Sequence, residues 1–268
     1  MRAWFCDGLT QRNLVENLRT ASIVKSPAVQ ATMQAVDRLY YVPDNKNKKN
    51  PYADAPQAIL KGQTISAPHM HAYALEEMLP HLLKRQEEIL QSGDSQQAIR
   101  VLDVGCGSGF LTACLGRWFQ PPPSSAEDEA PSFTVKGKVF GMDIHNELVN
   151  LTRQNMFKAD KDLLDDGIVQ LRVGNGWKGW PDEAPFDAIH VGAAAASVPL
   201  DLVQQLRAPH GVLICPVGAQ NSVQKLLKIQ RRHDNDGGSP EFSSEDYSVT
   251  ELLQVRYVPL VNQPNLRP

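Results

Sequence analysis

From Ile99 to Val217 the chain alternates between short apolar runs and segments whose apolar residues recur every three or four positions. The apolar runs predict strands at 99–104, 138–143, 168–173, 186–192 and 211–217, with helices between most of them. Such alternation calls for a doubly wound, mostly parallel sheet covered on both faces. After Gly218 two strand-like runs follow one another, 223–229 and 249–258, and predict an antiparallel hairpin that finishes the sheet. Upstream, the pattern is helical. Leu14, Val15 and Leu18 share one face, Ser26-Pro27 reads as a helix cap followed by proline in the first turn, and Val29, Met33 and Val36 continue an apolar stripe. Residues 41–62 carry three prolines and several asparagines and read as a loop. A further helix is expected to open at Pro68, with Leu75, Met78, Leu79 and Leu82 facing a core.

Two stretches break this order. Residues 120–136 hold Pro121-Pro122-Pro123 and Glu127-Asp128-Glu129, and 233–248 hold Asp236-Gly237-Gly238-Ser239-Pro240. Neither carries enough apolar surface to fold alone, so both are expected to be mobile, inserted loops. No internal repeat or domain boundary is visible. One domain over 1–268 is expected, with a helical and substrate segment at 1–98, a core at 99–220 and a hairpin at 221–268.

Composition narrows the class without naming it. Hydrophobic content of 42% with 21% charged residues is that of a globular protein. A net charge of −3 and a pI near 6.2 argue against a nucleic-acid partner, and the Lys46-Asn47-Lys48-Lys49 clump reads as solvated surface. The four cysteines, Cys6, Cys106, Cys114 and Cys215, form no CxxC pair and no cluster with histidine, which points to a reducing compartment and no metal. The first residues lack a secretory apolar stretch, and no apolar run reaches the ~18 residues of a membrane span. A cytoplasmic protein without membrane contact is expected.

The candidate chemistry starts at the end of the first core strand. Asp103-Val-Gly105-Cys106-Gly107-Ser108-Gly109 places glycines where backbone amides approach a ligand at a strand-to-helix turn. Phe110 stands where a dinucleotide loop would carry its last glycine. The next strand ends in Asp143, a carboxylate placed to accept from both hydroxyls of a ribose. Its distance from the loop exceeds the usual ~20 residues, and the 120–136 insertion accounts for most of the excess. The set is similar to the S-adenosyl-L-methionine site of Rossmann-like class I methyltransferases, with a nicotinamide site or a ligand-free turn as the alternatives.

The rarer signal is Thr64-Ile65-Ser66-Ala67-Pro68-His69-Met70-His71-Ala72, preceded by Asn50-Pro51-Tyr52-Ala53-Asp54-Ala55-Pro56-Gln57. With Asp37-Arg38, His190-Val-Gly-Ala-Ala-Ala, Gly211-Val-Leu-Ile and Tyr257-Val-Pro-Leu, it resembles the protein-L-isoaspartate (D-aspartate) O-methyltransferases, eukaryotic type, over nearly the whole chain. The resemblance implies methylation of the free carboxylate of L-isoaspartyl and D-aspartyl residues in damaged proteins, with S-adenosyl-L-methionine as donor. It implies Ser66 as the catalytic residue that holds an acceptor oxygen. It implies cofactor contacts at Gln63, Thr64, Ile65, Ser66, His71, Asp103, Gly105, Gly107, Ser108, Gly109, Asp143, Ile144, Asn175 and Gly176. A monomer that acts on isoaspartyl-containing proteins and peptides is expected.

Plainer roles stand beside these. Ser66 before Pro68 also suits a helix cap, and His69 suits a packing residue at a helix start. Gly174-Asn175-Gly176 departs from the family, which commonly carries aspartate between the glycines to meet the adenine amino group. Pro259-Leu260-Val261-Asn262 departs where some eukaryotic members carry cofactor-contacting residues. Two rival functions remain open at this point. A class I methyltransferase for a small molecule or RNA would leave 50–72 unexplained. A non-catalytic relative that binds partners would be expected to carry a long C-terminal extension.

Overall fold

The computed structural model describes residues 6–43, 50–121, 133–220, 222–232 and 245–263. The Lys46–Lys49 clump, most of both expected insertions and the Asp236-Gly237 pair lie outside the described residues.

Seven strands form the main sheet: β3 (Ile99–Val104), β4 (Gly137–Asp143), β5 (Val169–Val173), β6 (Ala188–Val191), β7 (Val212–Val217), β8 (Gln224–Arg231) and β9 (Tyr247–Val255). Their order is β5-β4-β3-β6-β7-β8-β9, parallel through β7 and antiparallel from β7 to β9. This is the Rossmann-like class I methyltransferase fold. The winding reverses between β3 and β6, so a crevice opens above the carboxyl end of β3, where open α/β sheets bind ligands.

Alternate residues of the central strands enter different cores. Val101 and Val139 face one cluster, while Leu102 and Phe140 face the other. The first cluster runs from Leu14 and Met33 through Leu75 to Val255, so the three expected segments share one core. Helices α1 (Gln11–Thr20), α2 (Pro27–Ala35) and α3 (Pro68–Ser92) form at the apolar stripes read from sequence. Ser26 Oγ accepts from Val29 N at 3.3 Å, as the cap expectation required. Between the strands lie α4 (Phe110–Phe119), α5 (Asn146–Ala159), α6 (Lys161–Asp165) and α7 (Leu200–Gln204).

Three expectations need correction. The 41–62 stretch is not all loop: β1 (Gln57–Ala58) pairs antiparallel with β2 (Thr64–Ile65), and a 3-10 turn at Leu60–Gly62 forms the tip between them. The last strand stops at Val255, not 258. Tyr257 N turns to Gln224 Oε1 at 2.9 Å, and Leu260 N donates to Ala194 O at 2.7 Å, so the chain crosses to the end of β6. The 120–136 segment is not wholly peripheral. Phe133 is buried against Trp118 and Phe119, and its N–H donates to Trp118 O at 2.9 Å.

Candidate active site

The glycine loop follows β3 as expected. Gly105 N and Cys106 N both donate to Met142 O, at 2.8 and 3.0 Å, which ties the loop to the end of β4. Gly109 opens α4 at φ +92°, and a Cβ there would come 2.7 Å from Thr152 Cγ2. Only glycine meets both demands. Asp143 sits at the carboxyl end of β4, accepting from Gly107 N at 3.2 Å and His145 N at 3.1 Å. Burial pushes its carboxyl above the ordinary range, although these backbone donors pull the other way.

Beneath the loop, Asp103 is buried with both oxygens engaged. Oδ1 lies 2.8 Å from His190 Nδ1, and Oδ2 accepts from Thr112 Oγ1 at 2.6 Å. Asp103 and His190 are paired across β3 and β6, a register that no local pattern announces. Asp103 therefore braces the floor of the crevice as well as lining it.

The β1–β2 hairpin closes over this crevice. Lys61 at its tip pairs with Glu147 of α5 at 3.0 Å, and Ile59 reaches towards Gly107. Between hairpin and loop lies a narrow cleft of about 30 Å³. Eight of the expected cofactor residues line it: Thr64, Ile65, Ser66, His71, Asp103, Gly105, Gly107 and Ser108. Sequence reasoning missed Cys106, Phe110, Leu111, His190 and Gly192, which also line it. Cys106 and Phe110 lay in the glycine motif, and His190 in the quoted His190-Val-Gly block, but only tertiary pairing brings them together.

Gln63, Gly109, Asp143, Ile144, Asn175 and Gly176 do not line that cleft. Asn175 Oδ1 accepts from Trp177 N at 2.9 Å, and its Nδ2 donates to Asn262 O at 3.2 Å. That side chain thus straps the C-terminal segment to the β5 turn. Gly176 is needed there because a Cβ would meet Val104 Cγ1 at 2.6 Å and Leu260 Cδ1 at 2.9 Å.

A second, larger cleft of about 650 Å³ opens on the other side of β2, between the start of α3 and the 256–259 segment. Thr64 and Ser66 belong to the walls of both. Ser66 is not the cap of α3: that position falls to Ala67, with no side-chain hydrogen bond. Tyr257 lines the same open cleft as Ser66, and burial pushes its phenol up to about 12, with the Ser66 side chain drawing it back down. The Ser66 carbonyl accepts from Arg38 Nη2 at 2.8 Å. His69 is held by Asp54, whose Oδ1 lies 2.9 Å from His69 N and 2.8 Å from Nδ1, and it lines neither cleft.

These groups suit an S-adenosyl nucleoside. Loop amides and the Asp143 carboxylate meet at the switch point, and His71, buried against Phe110, keeps Nδ1 without a partner in the cleft wall. A buried polar atom of that kind calls for a ligand group. No cluster of three potential metal ligands exists among the described residues, and none of their helices is long and apolar enough to cross a membrane. Fold and site together define a class I S-adenosylmethionine-dependent methyltransferase.

Comparison with known proteins narrows the class to one family. The model of the protein-L-isoaspartate(D-aspartate) O-methyltransferase family (PCMT) matches residues 9–265. A Triticum aestivum protein-L-isoaspartate O-methyltransferase is 37% identical over 266 residues, 98% of this chain and 97% of that protein. The Arabidopsis thaliana protein-L-isoaspartate O-methyltransferase 1 is 36% identical, over 93% of this chain and 90% of its own length. Among solved structures, a Plasmodium falciparum protein provisionally named as a protein-L-isoaspartate O-methyltransferase, in complex with S-adenosyl-L-homocysteine, superposes with a TM-score of 0.70. It is 29% identical, and the match covers 95% of this chain and 99% of that one. The chain belongs to the protein-L-isoaspartate (D-aspartate) O-methyltransferase family.

Proposed function

We infer that this enzyme methylates the free carboxylate of L-isoaspartyl and D-aspartyl residues in damaged proteins, with S-adenosyl-L-methionine as donor. Family membership over 9–265 supports the reaction. The observation that carries the assignment of roles is the position of Ser66, which lines both the narrow cleft at the glycine loop and an open cleft of about 650 Å³.

The cofactor, when bound, supplies an electrophilic methyl group on a positively charged sulfur. The glycine loop at 105–109, with Asp143 at the end of β4 and the unpartnered Nδ1 of His71, would hold it. The acceptor carboxylate is ionised at pH 7, its reference pKa being about 3.9, so no strong general base is needed. What remains is alignment and exclusion of water. Ser66 presents a hydroxyl donor to one acceptor oxygen and leaves the other free to face the methyl group. Arg38 holds the Ser66 carbonyl at 2.8 Å, and Tyr257 lines the same cleft wall. The β1–β2 hairpin, latched by Lys61 and Glu147, roofs the cofactor side against solvent.

We further propose that the enzyme acts as a cytoplasmic monomer without a nucleic-acid partner. The acidic balance and the sequence pI near 6.2 support the last part of that reading, the absence of a nucleic-acid partner. Labelled methyl transfer to an isoaspartyl peptide, its aspartyl isomer and bulk RNA tests the reading as a whole. Label only on the isoaspartyl peptide is expected; label on RNA, or equal label on both peptides, would overturn it.

A further inference from the structure

The open cleft beside Ser66 is lined by small, apolar and neutral polar side chains with one exception. Arg256 is the only charged residue in its wall among the described residues. It directly precedes Tyr257, and both share the cleft wall with Ser66. It is exposed, and among the described residues no carboxylate forms an ion pair with it. The neighbouring cations of the hairpin are already satisfied: Lys225 pairs with Glu251 at 2.8 Å and Lys228 with Glu77 at 2.7 Å. Arg256 thus brings a net positive charge to a cleft that must admit a peptide.

We propose that Arg256 sets a charge preference in the substrate, favouring isoaspartyl sites flanked by a carboxylate side chain over sites flanked by a lysine or arginine. The inference rests on the isoaspartyl methyltransferase reading above and extends it to substrate class. The acceptor carboxylate itself is placed by the Ser66 hydroxyl, while a guanidinium further out in the same wall meets the residues beside it. Because the group is solvent-exposed, its effect is that of a surface charge, a several-fold change and not an absolute requirement. Salt screens such a pair, so the preference should fade as ionic strength rises. Specificity of this kind includes repulsion of the wrong partner, here a cationic flank.

The test uses the full chain with S-adenosyl-L-methionine and a series of isoaspartyl hexapeptides. Glutamate, glutamine or lysine is placed in turn at each of the two positions on either side of the isoaspartyl residue. The readout is the ratio of kcat/KM between glutamate and lysine peptides. In the wild type, a ratio of about three to ten is expected at one or more positions, falling towards one at high salt. Arg256→Gln should flatten that ratio, and Arg256→Glu should invert it. A wild-type ratio near one overturns the inference, as does a ratio that survives in Arg256→Gln. A loss in Arg256→Gln that is uniform across the series also overturns it, because the side chain would then serve the acceptor carboxylate itself. No turnover of any isoaspartyl peptide would remove the reading of function as well, whereas turnover with a flat ratio removes the charge preference alone.

Discussion

Arg38 donates from Nη2 to the carbonyl of Ser66 at 2.8 Å, across 28 residues of sequence and from full burial. Burial pushes its pKa down to about 9, with the Asp54 carboxylate drawing it back up, so the guanidinium is still charged at neutral pH. It also donates from Nε to Pro51 O at 3.2 Å and lies over the Phe110 ring. A charge in that position ties the 50–57 segment, the 64–66 strand and α4 into one unit. Arg38→Lys loses the planar fork whose Nε and Nη2 reach the two carbonyls from separate nitrogens. Methyl transfer should fall about tenfold and stability by about 1–3 kcal/mol. Steady-state kinetics beside urea unfolding checks this, and a destabilised variant with wild-type kcat would show that Arg38 supports the fold alone.

Ser66→Ala should cut methyl transfer about a hundredfold while leaving cofactor affinity close to wild type, because it removes an alignment contact and not a nucleoside contact. Tyr257→Phe removes a phenol from the cleft wall that Ser66 shares and should lower kcat in the same direction by less. The two changes act on one wall, so the double variant should be little worse than Ser66→Ala. Additive losses in that cycle would mean Tyr257 acts independently of Ser66.

Asp143→Ala should weaken S-adenosyl-L-methionine and S-adenosyl-L-homocysteine equally, since the ribose is common to both. A lost hydrogen bond to a charged group costs about 1.5–3 kcal/mol. In this structure the carboxylate also organises Gly107 N and His145 N, so part of the loss comes from the loop. Calorimetry with both ligands measures it, and unchanged affinity for either would place the ribose contact elsewhere.

What was legible in the sequence was what local pattern encodes. The core strands, the Ser26 cap, the glycine loop and the acidic end of β4 all follow from periodicity and turn chemistry, and each stands within a residue or two of its expected place. What was not legible depends on contacts distant in sequence. The Asp103–His190 pair needs the β3–β6 register, and the strap from Asn175 to Asn262 needs the chain to leave β9 after Val255. Ser66 carried two local readings, cap or site, and Ala67 at the cap position removes the first. Phe133 was hidden by its polar neighbours. One aromatic ring packed on Trp118 is enough to anchor the end of a segment whose composition reads as loop.

His71 gives the site a defined pH response. Burial, with Arg38, His190 and His69 nearby, holds its pKa well below the ordinary histidine value. The unfolded chain takes up that proton near pH 6.5, while the folded site refuses it. Below about pH 6.5 the unfolded state therefore binds more protons, and stability falls as pH falls until the depressed folded pKa is reached. The contribution between pH 7 and 5 is about 2 kcal/mol at most. Urea unfolding of the wild type and His71→Asn across that range should show a shallower acid loss in the variant. Equal slopes would mean the folded site accepts the proton.

Asn175 replaces the aspartate common in the family, and geometry reverses the simplest expectation for restoring it. An aspartate would offer the adenine amino group a charge-assisted acceptor, roughly twice as strong as a neutral one. It would also keep the bond from Trp177 N. It cannot donate, however, so the bond to Asn262 O would become a contact between two acceptors. That strap holds the 256–262 segment, which carries Tyr257 and walls the acceptor cleft. Asn175→Asp should therefore fail to tighten the cofactor and should raise the KM for the isoaspartyl peptide by a few-fold, on the scale of one lost neutral hydrogen bond, about 0.5–1.5 kcal/mol. Calorimetry with S-adenosyl-L-homocysteine and peptide kinetics separate the two effects. Cofactor binding tightened about tenfold with peptide KM unchanged would show that the side chain turns from Asn262 to the adenine.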